Sequence, residues 1–68
     1  MKFTALIKQD GDWWTGWVAE LPGVNGQELT RDELLASLKV ALAEAIEFAR
    51  AAAVEAAGTD FAQVPITP

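Results

Sequence analysis

The side chains that most often carry out chemistry are scarce in this chain. It has no His, no Cys and no Tyr, so Ser-His-Asp and Cys-His arrangements cannot be built and the commonest general acid/base is missing. Thiolate and imidazole metal ligands are excluded with them, which leaves carboxylates around a divalent cation as the one open catalytic chemistry. No glycine-rich phosphate loop of standard spacing occurs. Asp10 and Asp12 flank Gly11, but a calcium loop needs several further oxygen ligands at set spacings, so the pair reads as a turn with solvated charges. Glu44 and Glu47 share one side of a predicted helix and belong to its solvated arc. Thr30 has no neighbouring base to activate it and reads as a helix cap. No catalytic, cofactor-binding or metal-binding residue is expected.

What stands out instead is aromatic. Trp13, Trp14 and Trp17 fall within "DWWTGW" in a chain of 68 residues. Trp is rarely buried completely and a domain this small has one thin core, so the three cannot all be hidden in a single copy. The chain is 51% hydrophobic and has no disulfide to support it, which predicts a homodimer or larger homo-oligomer. Ten acidic residues against five basic ones give a net charge of -5, a balance that repels phosphate backbones and argues against nucleic-acid binding by this chain alone. No apolar run approaches membrane-spanning length, and the opening segment is too short for a signal sequence. A cytoplasmic protein without membrane association is the expectation.

The elements that position the tryptophans follow from patterning. "KFTALIK" and "WWTGWVAE" have the β-branched and aromatic content of strands, and Asp10-Gly11 between them is a favoured central pair for a type I′ turn. This predicts a hairpin over residues 2–20 in which Lys8 faces Trp13, Ile7 faces Trp14, Ala5 faces Gly16 and Phe3 faces Val18. Alternation then puts Phe3, Ala5, Ile7, Trp14, Gly16 and Val18 on one face, with Ala5 and Gly16 as a trough for a helix. Thr4, Leu6, Lys8, Trp13, Thr15, Trp17 and Ala19 fall on the other. A register slip of one residue would exchange Trp14 with Trp13. Pro22-Gly23 reads as a turn ending the second strand, and residues 24–28 as a short third strand.

Thr30 with Glu33 forms a capping box, and Gly58 is a stop, so a helix is predicted over 31–57. One arc of it carries Leu34, Leu35, Leu38, Ala41, Leu42, Ala45, Ile46, Phe48, Ala49, Ala52 and Ala53. The opposite arc is polar, with Val40 and Val54 as apolar exceptions. The helix should outrun the strands, and its alanine-rich end should fray or meet a second copy. Phe61, Val64 and Ile66 predict a short edge strand or an extended tail over 61–66. The fold class is therefore α+β: a three-stranded antiparallel sheet, one long helix and a C-terminal edge strand, in the order β-β-β-α-β.

"WTGWVAELPGVNGQELTRDELLASLKVALAEAIEF" resembles the N-terminal domain of HicB antitoxins from bacterial toxin-antitoxin systems. Trp14, Trp17, Val18, Glu20, Leu21, Pro22, Gly23, Gln27, Thr30 and Glu33 sit on that family's pattern without a gap, and the likeness covers roughly residues 1–50. Ala19, Glu28 and Leu34 depart from it, standing where the family usually has Pro, Gly and Ala. The resemblance implies a truncated RNase H-like fold and a non-catalytic protein that neutralises a HicA-type, mRNA-cleaving toxin by binding it. It also implies dimers or larger assemblies. No DNA-binding domain is expected within residues 1–68. The expected surface for the toxin or a second copy is the sheet face bearing Leu6, Trp13, Thr15, Trp17 and Ala19. Two rivals belong to other classes: an orphan HicB-like oligomer of structural or regulatory role, and a carboxylate- and metal-dependent nuclease on an RNase H-like sheet. The second would need acidic residues converging on adjacent strands.

Overall fold

A computed structural model describes residues 2–68. Strand β1 (Ala5–Asp10), β2 (Trp13–Val18) and β3 (Leu21–Glu28) form one antiparallel sheet in the order β1-β2-β3, and helix α1 (Arg31–Ala57) crosses one face of it. The α+β architecture is the expected one. Helix α1 starts where its cap dictates: the Thr30 side chain accepts from the Glu33 backbone N–H at 3.1 Å and donates to the Glu33 carboxylate at 2.9 Å, satisfying an otherwise unpaired donor of the first turn. Gly58, at φ 80, ends the helix and donates its N–H to the Glu55 carbonyl.

The hairpin forms with a different turn from the expected one. Gly11 and Asp12, rather than Asp10 and Gly11, are the central residues, because Asp10 pairs with Trp13. Gly11 has φ 62, and no described non-glycine residue has positive φ. A turn centred on Asp10-Gly11 would force the aspartate into that region; moving it by one residue leaves the requirement on glycine alone, the pattern of a type II′ turn. The pairing moves by two, so Ile7 faces Gly16, Leu6 faces Trp17 and Ala5 faces Val18. A shift of two preserves which residues share a face, and the predicted sorting of strand side chains survives the wrong register.

The third strand begins earlier than residues 24–28. Ala19 and Glu20 form the turn after β2, and β3 already starts at Leu21, opposite Val18. The next pair is Trp17 with Asn25, so Pro22, Gly23 and Val24 bulge out of the ladder. Pro22 has no N–H to offer a neighbouring strand, and a bulge on an edge strand tolerates that lack. Pro22-Gly23 therefore lies inside a strand, where the sequence reading put a turn. Glu28, at the position where the resembled family has Gly, ends β3 opposite Trp14 without positive φ.

Val18, Val24, Leu34 and Leu38 are the buried hydrophobic residues among those described, with Phe3, Ile7, Trp14, Ala41, Leu42 and Ala45 packed around them. The trough that admits the helix is not Ala5 with Gly16. It is at Gly26, the partner of Gly16, where a Cβ would stand 3.4 Å from Leu34 Cδ1 and 3.8 Å from Leu38 Cδ2. The 27 residues of α1 extend about 40 Å at 1.5 Å per residue, roughly twice the length of a six-residue strand. Contact with the core stops at Ala45. Ile46, Phe48, Ala49, Ala52 and Ala53, assigned by periodicity to the sheet-facing arc, are exposed beyond it.

The C-terminal edge strand is absent: residues 61–68 have no regular structure and are exposed, tethered by one hydrogen bond from Arg50 to Gln63 at 3.3 Å. The helix releases the chain past the end of the sheet, and Pro65 lacks a ladder donor, so nothing brings this segment back to an edge. A Cβ at Gly16 would meet the Leu6 carbonyl oxygen at 2.7 Å and Ile7 Cγ2 at 2.9 Å. Gly16→Ala should consequently cost about 2 kcal/mol or more of folding stability, read from the midpoint of a urea denaturation curve.

Candidate functional site

The face of the sheet turned away from α1 is assembled by strand alternation. Its rows run Leu6, Trp17 and Asn25; Lys8, Thr15 and Gln27; and Asp10 with Trp13. Trp13 and Trp17 lie on the same strand, four residues and thus about 13 Å apart. Trp13 is 44% exposed, Trp17 37% and Leu6 43%, while Trp14 is half-buried against the core. The structure thus places Trp14 under the helix and the other two tryptophans outside, as the alternation predicts. Thr15, half-buried between Lys8 and Gln27, joins them.

Ala19 lies one residue past β2, in the turn to β3, where its N–H donates to the Thr4 carbonyl at 2.8 Å and continues the β1–β2 register. Asn25 and Gln27, which the sequence reading left out, also lie on this face. The signal was available: Val24 and Gly26 alternate with Asn25 and Gln27 as inward and outward residues do in a half-buried strand. The face is apolar and aromatic at its centre, with amides along β3 and one lysine and one aspartate along β1.

Next to Ala19, the Thr4 N–H donates to the Glu20 carboxylate at 2.7 Å, tying the segment before β1 to the β2–β3 turn. This backbone hydrogen bond holds the Glu20 carboxyl below its ordinary value of 4.5, against a smaller opposing effect of desolvation. Two other carboxylates, Asp10 and Glu28, lie at the opposite end of the sheet, beside Trp13 and Trp14 respectively. Alternation directs them to opposite faces, Asp10 outward and Glu28 toward the helix side. No group of three or more His, Cys, Asp or Glu able to hold a metal ion occurs among the described residues.

A second apolar feature lies on the helix side. An open groove of about 500 Å³ runs between the bulge of β3 and the second half of α1, lined by Leu21, Pro22, Val24, Ala45, Ile46 and Ala49. Sequence reasoning missed it because it depends on Leu21 to Val24 being strand rather than turn. No helix among the described residues is long and apolar enough to cross a membrane.

Comparisons with protein-family models, with curated proteins and with solved structures give no match for this chain. Fold and site together define a small α+β domain whose sheet is covered on one face and presents tryptophans on the other.

The Glu20 contact has a pH signature. Because its folded pKa lies below the unfolded one, the contribution is complete above the ordinary carboxylate value and is lost as pH falls through the lowered folded value. Relative to Glu20→Gln, the wild type should lose stability on acidification from neutral pH, and the two should converge in acid, as read by thermal melts across the series.

Proposed function

We propose that the chain is a HicB-like antitoxin subunit, a non-catalytic module that binds a small HicA-type ribonuclease through the tryptophan face of its sheet and blocks the active site. The observation that carries this reading is the uncovered aromatic face itself. Trp13, Trp17 and Leu6 are each more than a third exposed on a rigid sheet, and large aromatics with few charges are the composition of interface cores.

Charge supports the same partner. A ribonuclease presents positive potential to its phosphate substrate, and a chain of net charge -5 attracts such a surface and speeds encounter with it. The sequence pattern shared with the HicB family adds to this. Thr30 and Glu33 form the helix cap, Pro22 and Gly23 lie in the bulge, and Gln27 reaches the outer face opposite Thr15. The nuclease alternative lacks comparable support, since Asp10 and Glu28 are directed to opposite faces of the sheet. The proposed site of action is the cytoplasm, where an mRNA-cleaving partner meets its substrate.

Co-expression with the small open reading frame encoded beside this one tests the reading. The wild-type chain should restore growth to cells expressing a toxic neighbour and bind it directly. Trp17→Ala should weaken that binding by about 30-fold, the loss of a typical aromatic hot spot, and shift the denaturation midpoint only slightly. Collapse of stability with binding intact would make Trp17 a core residue and sink the assignment, whereas a neighbour that neither poisons cells nor binds would leave an orphan oligomeric domain.

A further inference from the structure

The monomer has more surface than its mass calls for. Its accessible area is 5556 Å², whereas a compact monomer of 7.3 kDa would expose about 4,200 Å². Its radius of gyration is 15.3 Å against about 11 Å for a compact chain of this length, and it measures 52 × 22 × 15 Å. The surplus, roughly 1,400 Å², exceeds the roughly 800 Å² that each partner contributes to a standard interface. It is shared between the exposed segment 58–68 and the part of α1 beyond Ala45, where Phe48 is 77% exposed and Ile46 and Leu21 line an uncovered groove.

We infer that this helix overhang and its groove are the docking surface for a second copy of the chain, packed antiparallel about a two-fold axis. The occupant is narrowed by what is already in place. The chain's own C-terminal segment does not cover the surface: it is exposed throughout and held by Arg50, which at 100° per residue lies about 120° around the helix from Leu38, on the charged flank. The groove residues carry no charged side chain, so an identical apolar surface is complementary to them.

Orientation follows from sterics. The overhang continues the helix face that carries the sheet in its first half, so two copies packed parallel through this face would drive their sheets into the same space. Packed antiparallel, each sheet stands at an opposite end of the pair. Each overhang then runs toward the β2–β3 end of the other copy's sheet and fills the groove at Leu21 and Ile46. The contact is isologous and closes on itself, giving a dimer and not a filament.

The inference is independent of the antitoxin reading, because it uses the helix side and leaves the tryptophan face free. Sedimentation equilibrium of the full chain should return twice the monomer mass. Phe48→Lys should raise the dimer dissociation constant about 30-fold, as loss of an aromatic anchor does. The lysine can pair with Glu44 one turn earlier, so the monomer remains helical. Val40→Lys, on the opposite side of α1, should leave the mass unchanged, as should Trp17→Ala. The chain has no Cys, so orientation is read separately: Ala49→Cys chains mixed with Ala56→Cys chains should form the mixed disulfide on oxidation, while Glu47→Cys chains, facing away, should not cross-link. A monomeric wild type, a dimer indifferent to Phe48→Lys or broken by Trp17→Ala, or cross-linking through Glu47→Cys would overturn the inference.

Discussion

The structure depends on how closely the helix can approach the sheet at one glycine. Gly26 faces Gly16 across β2 and β3, and Leu34 and Leu38 descend onto Gly26, while the missing side chain of Gly16 lets Leu6 and Ile7 of β1 come close. With four buried hydrophobic side chains among the described residues, the core has little apolar area to spare, and a side chain at Gly26 would press on Leu34 and Leu38 and lift the helix from Val18 and Val24. Once that contact is made, strand alternation leaves no choice elsewhere. Trp14 lies on the helix face of β2 with Gly16 and Val18, and Trp13 and Trp17 are turned outward. The exposed aromatic face is thus a consequence of which face the helix covers.

Much of this was legible in the sequence, for identifiable reasons. The helix limits, Arg31 and Ala57, match because both ends carry specific chemistry, a capping box at Thr30 and a glycine stop at 58. The face assignment of all three tryptophans held although the turn was misplaced, since the error moved the pairing by an even number of residues. Had Gly11 and Asp12 been separated by one more residue, the same reasoning would have put Trp13 in the core.

Most of what failed had no local signal. Pro22-Gly23 is as good a turn pair as a bulge pair, and only the pairing of Leu21 with Val18 decides between them. The same misreading hid the groove, whereas Asn25 and Gln27 were left off the candidate face although the alternation of strand 24–28 places them there. Periodicity likewise assigned Ile46 and Phe48 to the sheet-facing arc correctly as angles, but angle alone cannot say where the sheet ends. The C-terminal strand failed for a related reason: its apolar spacing was real, and the helix delivers it beyond reach of an edge.

The overhanging helix has one more implication, concerning time rather than shape. Its first half is held by Leu34 and Leu38, so its amides open only when the sheet does, whereas the second half is secured by little beyond its own hydrogen bonds. The last turn contains Glu55 and no basic residue, the wrong sign for the negative end of the helix dipole. Helical segments without tertiary packing are marginal in water at this length. One continuous helix therefore contains two regimes of amide exchange, slow up to about Ala45 and fast beyond it, and anything that settles on the far half will register first as a slowing of exchange there, with no change in the rest of the fold.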